Sequence, residues 1–247
     1  MKVIAVTDRR NCARPLMEQI DRVCASGVDM LVLREKDLAT EEYSRLASEA
    51  KGICGKHGVE LCVNTFADVA SDLGVGTAWV PFDVIERGRP GVGRLGVSVH
   101  SRAEARRADE LGADFVVYGN VFETACKPGA PARGFGELRM ICIESDIPVY
   151  AIGGICPANM QAVHDCGVDG ICMMSAYMLA EDPSAITGRA RSLLERSEHV
   201  QVPGDSVEDG LLPRPDAQAR NRPRLDLGPA RVGDDAVGET LPVGDRL

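Results

Sequence analysis

Eight short runs of apolar and β-branched residues recur along the first 175 positions, and each is closed by glycine or by a polar residue. Their lengths are typical of strands, and their nearly continuous apolar character is typical of strands buried on both faces of a parallel sheet. The runs occupy residues 3–7, 30–34, 60–64, 78–81, 95–100, 115–119, 149–153 and 170–175. The chain therefore has to fold so that eight strands are buried together.

Amphipathic segments separate these runs and predict helices between the strands. Ser101 and Glu104 have the spacing of a capping box at the start of one helix, whereas the segment after the fourth run predicts a helix that is short or missing. No dinucleotide-binding glycine pattern follows the first run. We therefore predict an α/β fold, a (β/α)8 TIM barrel, in preference to an open doubly wound sheet.

The composition changes near residue 200. Residues 200–247 are rich in proline, glycine, arginine and acids and contain no aromatic residue. Such a segment buries too little apolar surface to offset the entropy lost on ordering it. We predict a barrel over residues 1–199 and a disordered C-terminal tail over residues 200–247.

The formal charge of −9 disfavours a nucleic-acid surface, which needs clustered Lys and Arg. No apolar stretch approaches the length of a membrane span, and the first apolar run is too short for a signal peptide. We expect a cytoplasmic protein whose partner is a small molecule, with no nucleic acid and no membrane. The sequence leaves open whether it forms a homo-oligomer.

Active sites of these barrels lie at the C-terminal ends of the strands, where the polar residues that close each run become candidates. Gly153 and Gly154 follow the seventh run, and Ser175 and Ala176 follow the eighth, which is a typical position for a phosphate site. A purely structural turn is the alternative. The other candidates in the run-closing segments include Thr7, Asp8, Arg34, Glu35, Lys36, Asn64, Ser98, Asn120, Thr124 and Lys127.

Two lysines and one histidine suggest the chemistry. Lys36 and Lys127 would face one mouth and suit an anionic ligand, although loop lysines are often only solvated. His100 closes a strand and could take and return a proton near neutral pH, with Glu123 as an assistant. We expect Cys126, beside Lys127, to line the pocket rather than act as a nucleophile.

Four segments resemble the thiamine phosphate synthase/TenI family when taken together. They are Leu-Arg-Glu-Lys at 33–36, Gly-Val-Ser-Val-His at 96–100, the run from 118 to 129, and Ile-Pro-Val-Tyr-Ala-Ile-Gly-Gly-Ile at 147–155. The resemblance covers residues 2–195. It implies one of two activities: a synthase that joins a pyrimidine diphosphate to a thiazole phosphate with magnesium, or a metal-free tautomerase that aromatises a carboxythiazole phosphate.

The segments differ in which activity they favour. The synthase resembles the chain at Lys36, Asn64, Thr124 and Lys127, but its Asn-Asp metal-binding pair stands here as Asn-Thr at 64–65. Its His-x-Gly-Gln run after the fourth strand is replaced by Trp-Val-Pro-Phe at 79–82, with an acid nearby at 83. Magnesium is usually held through one or two carboxylates, so their loss should weaken diphosphate activation. The tautomerase branch resembles the chain at 98–100 and at 121–127, where it carries a cysteine like the one at 126.

The resemblance therefore favours a thiazole tautomerase, an isomerase of thiamine biosynthesis that needs no cofactor. The alternative is thiamine phosphate synthase, a transferase that requires magnesium, and the second alternative is a non-catalytic regulator that binds a thiazole phosphate. We predict His100 and Glu123 as catalytic residues and no metal ligand. The predicted substrate-binding residues are Arg34, Lys36, Asn64, Ser98, Thr124, Cys126, Lys127, Gly153, Gly154, Ser175 and Ala176.

Overall fold

The computed structural model describes residues 1–124, 129 and 131–198, with side chains up to residue 193 in the last helix. Eight strands alternate with helices along this part of the chain. The strands are β1 Lys2–Val6, β2 Met30–Leu33, β3 Glu60–Asn64, β4 Thr77–Val80, β5 Arg94–Val99, β6 Phe115–Gly119, β7 Val149–Ile152 and β8 Gly170–Met173. Each strand falls within, or within one residue of, one of the eight apolar runs.

All eight strands are parallel and close into a barrel in chain order. Ile4 of β1 lies opposite Met30 of β2, and on its other edge β1 pairs with β8 through Lys2 opposite Gly170. Closure leaves no exposed sheet edge. The prediction of a (β/α)8 TIM barrel is confirmed, whereas the predicted tail lies outside the described residues.

Helices cover the outside of the barrel. They are α1 Leu16–Ala25, α2 Thr40–His57, α3 Ala67–Asp72, α4 Phe82–Arg87, α5 Arg102–Glu110, α6 Phe135–Glu144, α7 Met160–His164, α8 Ser175–Met178 and α9 Pro183–Glu198. The helix after β4 has only six residues, which confirms the prediction of a short or missing helix after the fourth apolar run. The N-cap half of the predicted capping box is confirmed, because the Ser101 hydroxyl accepts a hydrogen bond from the Glu104 backbone N–H at 3.1 Å. The Glu104 carboxylate accepts from the His100 backbone N–H rather than from that of Ser101.

Alternation along the strands produces two apolar clusters. One lies inside the barrel and includes Trp79, Phe115, Tyr150 and Cys172, while the larger one lies between the strands and the helices. No helix in the described part of the chain is both long and apolar enough to cross a membrane.

Charged side chains fill the N-terminal end of the barrel. The Glu60 carboxylate accepts hydrogen bonds from Lys2 Nζ at 2.8 Å and from Arg94 at 2.9 Å. The Arg94 guanidinium lies 4.6 Å from the centroid of the Phe115 ring, a cation–π distance. This end is therefore occupied by paired charges, and the C-terminal mouth is where a ligand can enter.

Candidate active site

The C-terminal mouth holds an open cavity of about 810 Å³, a volume that includes the solvent space at its entrance. Residues from the ends of β2 to β8 line it, so the site is assembled from seven separate strands. Nine of the predicted site residues meet there: Arg34, Lys36, Asn64, Ser98, His100, Thr124, Gly153, Gly154 and Ser175. The rule that active sites of these barrels lie at the C-terminal ends of the strands, called the strand-end rule below, therefore places most of the candidates around one cavity.

Four predicted site residues are not among these lining residues. Glu123 is exposed and does not line the cavity, and Ala176 packs its side chain against the apolar core. Cys126 and Lys127 lie outside the described residues. Their predicted roles in catalysis and binding stay predictions.

The deeper wall of the cavity is apolar and was not predicted. Trp79, Val117, Ile152 and Cys172 line it from inside the barrel. The Trp79 indole N–H donates a hydrogen bond to Ser98 Oγ at 2.8 Å, which fixes the hydroxyl of a predicted binding residue. Inward-facing positions near the strand ends could have revealed these residues, because alternate positions on each barrel strand point inside.

The polar part of the cavity carries positive charge. The Arg34 side chain has no acidic partner among the described residues, and its side-chain hydrogen-bond contact is Met174 Sδ at 4.0 Å, towards β8. None of the lining residues is Asp or Glu within the described ranges, and residues 125–128 contain no acid in the sequence. A cavity with cations and no carboxylate favours an anionic ligand.

His100 is held at both its backbone and its ring. Its backbone N–H donates to Glu104 Oε2 at 2.7 Å, and its ring Nδ1 lies 2.7 Å from the Gly119 carbonyl oxygen. Because a carbonyl oxygen only accepts, Nδ1 carries the hydrogen in this contact. The neutral imidazole therefore keeps Nε2 as the nitrogen that can accept a proton.

The two glycines after β7 are required by close packing. Gly153 and Gly154 have φ angles of 106° and 65°, which disfavour other residues. A Cβ at Gly153 would lie 2.5 Å from Asn120 Cβ, and one at Gly154 would lie 2.6 Å from the Glu123 carbonyl oxygen. Close packing and positive φ angles therefore explain why glycines stand in this turn, as expected if the turn is purely structural. Phosphate binding by this turn stays a prediction.

The residues that a magnesium ion would need are absent from the described part of the mouth. The Asn64 amide donates to the Trp79 carbonyl at 2.9 Å, and its Oδ1 accepts from Thr65 Oγ1 at 3.2 Å. Asp83 is exposed, pairs with Arg87 at 2.6 Å and does not line the cavity. No cluster of His, Cys, Asp or Glu that could hold a metal occurs among the described residues. These donors do not fit a hard divalent cation.

A family profile described as thiamine monophosphate synthase (TMP-TENI) matches residues 3–177. The chain belongs to the thiamine phosphate synthase/TenI family. It is similar to thiamine-phosphate synthase of Coprothermobacter proteolyticus, with 32% identity over 79% of this chain and 94% of the relative. It is also similar to thiamine-phosphate synthase 2 of Streptococcus pneumoniae, with 31% identity over 76% of this chain and 92% of the relative.

Solved structures agree with this assignment. Thiamine phosphate pyrophosphorylase from Pyrococcus furiosus superposes with a TM-score of 0.70 at 30% identity, covering 79% of this chain and 96% of that one. The structure of 3-hexulose-6-phosphate synthase, at 20% identity and a TM-score of 0.58, shares the fold. The family prediction is confirmed. The relatives' names favour the synthase alternative over the tautomerase prediction, which they do not confirm.

Proposed function

We propose that this member of a thiamine-biosynthetic family binds a thiazole phosphate in the mouth of the barrel and moves a proton on the thiazole ring, as a tautomerase does. One observation carries the proposal: His100, with its tautomer fixed by Gly119, lines a cavity whose described residues include cations and no carboxylate. A proton-transfer reaction needs one correctly placed acid–base group and no metal. The residues of this mouth supply that group.

In this mechanism the ligand phosphate binds at the loops that follow β7 and β8. Gly153 and Gly154 lack side chains that would keep an anion from their backbone N–H groups, and the backbone of Ser175 and Ala176 completes the phosphate site. Lys127 follows β6 in the sequence, and we expect its side chain to approach the phosphate or the carboxylate. The phosphate thus anchors the ligand with its ring towards the apolar wall.

His100 then carries the proton. Its Nε2 removes a proton from one ring-associated carbon, and the resulting imidazolium returns a proton to a different position. The substrate gains and loses one proton, so the reaction is an isomerisation. The hydrogen bond from Nδ1 to the Gly119 carbonyl, 2.7 Å long, holds the ring in place while the proton moves.

The second candidate is the condensation of a pyrimidine diphosphate with the thiazole phosphate. The names of the relatives favour it, since the relatives from Coprothermobacter, Streptococcus and Pyrococcus are called thiamine-phosphate synthases or pyrophosphorylases. The donors around Asn64 do not fit magnesium, so we derive no step through the metal. Thr65 holds a φ angle of 75°, a backbone conformation that Asp and Asn adopt more readily than Thr.

The first experiment measures turnover of the carboxythiazole phosphate tautomer by purified protein in EDTA. We expect metal-free turnover, with a loss of about 10²- to 10⁴-fold in kcat for His100→Gln. His164→Gln, on α7 and away from the cavity, is the matched control and should keep wild-type turnover. Ligand binding by the wild-type protein without turnover, both here and in the second experiment, would instead indicate the non-catalytic regulator.

The second experiment supplies magnesium, the pyrimidine diphosphate and the thiazole phosphate. Product formed by wild-type protein only under these conditions would refute the tautomerase and establish the synthase. A Thr65→Asp variant restores the acid of the family's Asn-Asp pair on a backbone that tolerates it. If the wild-type chain lacks synthase activity because this acid is missing, only the variant should gain magnesium-dependent product.

A further inference from the structure

Glu35 stands in the sequence between two cations of the mouth, but its carboxylate is buried and does not face the ligand cavity. Arg34 and Lys36 line the cavity, whereas Glu35 does not and is only 2% exposed. Consecutive side chains at a strand end alternate in direction, which explains why the middle residue of the three points away. A buried carboxylate is costly unless hydrogen bonds satisfy both oxygens.

Those hydrogen bonds come from the end of β1 and the turn after it. Thr7 Oγ1 donates to Glu35 Oε1 at 2.7 Å. The Arg9 backbone N–H donates to the two carboxylate oxygens at 3.1 and 3.3 Å, and its guanidinium adds a further bond at 3.3 Å. Glu35 therefore joins the chain after β2 to the chain after β1.

The Thr7 hydroxyl links Glu35 to the backbone of Arg34 through hydrogen bonds. The Arg34 backbone N–H donates to Thr7 Oγ1 at 2.9 Å, so the single hydroxyl hydrogen of Thr7 is directed to Glu35. The Thr7 backbone N–H also donates to the Val32 carbonyl at 3.0 Å. Thr7 thus holds the backbone that leads into Arg34 through two hydrogen bonds, at the point where β2 has ended.

We infer that Thr7 and Glu35 are positioning residues that hold Arg34 in place to bind the anionic group of the ligand. The Arg34 side chain reaches towards Met174, which precedes Ser175 of the proposed phosphate site. A cation that is already held in its binding position loses less conformational entropy when the anion arrives. The inference rests on the proposed binding of a phosphorylated ligand in this mouth.

Binding can be measured through intrinsic fluorescence, because Trp79 is the only tryptophan of the chain and lines the cavity. The probes are thiazole phosphate and inorganic phosphate, with calorimetry as a second readout. Thr7→Val keeps the shape of the side chain and removes both hydrogen bonds, and we expect its Kd to rise roughly tenfold. Thr7→Ser keeps the hydroxyl and should stay within about threefold of the wild type.

Two further variants separate positioning from charge. Glu35→Gln keeps an oxygen that can accept from Thr7, so it should preserve most of the affinity. Asp37→Asn is the matched control: Asp37 pairs with the Arg9 guanidinium at 2.6 Å, whereas the Thr7 hydroxyl donates to Glu35. It should bind both probes as the wild type does, within about threefold.

A double-mutant cycle distinguishes positioning from a general loss of structure. In an Arg34→Ala background, Thr7→Val should have little further effect on Kd, because the side chain that it positions is gone. Equal losses of affinity in both backgrounds, or wild-type affinity in Thr7→Val, would overturn the inference. If Thr7→Val does not fold, Thr7→Cys replaces it in the same cycle with a weaker donor of similar size.

The two probes keep this inference separate from the proposed function. Wild-type binding of inorganic phosphate without binding of thiazole phosphate refutes the proposed function, and the cycle then tests the inference with inorganic phosphate. If the protein binds thiazole phosphate and the losses of affinity in the Thr7 and Arg34 variants add, the inference is refuted and the proposed function is not. A wild-type protein that binds neither probe refutes both.

Discussion

Gly153→Ala should destabilise the barrel by about 1–5 kcal/mol. A positive φ, here 106°, costs a residue with a Cβ about 1–2 kcal/mol. The added Cβ would also lie 2.5 Å from Asn120 Cβ and 2.6 Å from Asn120 Cα, an overlap with the adjoining loop for which overpacking costs about 1–3 kcal/mol. The lower entropy of the unfolded alanine chain offsets about 0.4–1 kcal/mol of the sum.

Urea denaturation measures this effect as a lower midpoint with an unchanged m value. Gly52→Ala is the matched control, because Gly52 lies in the exposed part of α2 and a Cβ there would meet nothing within 4 Å. The control should gain about 0.5–1 kcal/mol from helix propensity. If Gly153→Ala is as stable as the wild type within about 0.5 kcal/mol, the close packing of the two loops does not explain this glycine.

Three further substitutions test buried or capping groups. Burial raises the pKa of the Glu35 carboxyl above its usual 4.5, against the lowering effects of Thr7 and Arg9. The native state therefore holds this proton more tightly than the unfolded chain does. The free energy of unfolding should fall as pH rises from near 4.5 through the native pKa. Urea denaturation at a series of pH values should show this fall in the wild type and not in Glu35→Gln. Tyr118→Phe removes a buried hydroxyl that has no partner among the described residues, and its melting temperature should not fall. Ser101→Ala removes the N-cap of α5 and should cost about 1 kcal/mol in urea, whereas an unchanged midpoint would show that the cap contributes nothing.

The positions of individual residues show how far the sequence could predict the site. Lys36 and His100 follow apolar runs, so the strand-end rule alone is enough to place them at the mouth. Glu35 satisfies the same rule yet is buried away from the ligand. Trp79 lies inside a run and has the pattern of a core residue, yet it lines the cavity. The rule identifies a strand's end and does not give the direction in which each side chain points.

The sequence by itself determined the eight strands, their alternation with helices and the closed barrel, because these follow from the local period of apolar residues and the lengths between runs. The family assignment followed from motifs that lie in order along the same chain. Only the tertiary structure decided which groups meet. The contacts between Nδ1 of His100 and the Gly119 carbonyl, and between Thr7 and Glu35, join residues 19 and 28 positions apart. Such contacts depend on the register and twist of neighbouring strands, which no local pattern encodes.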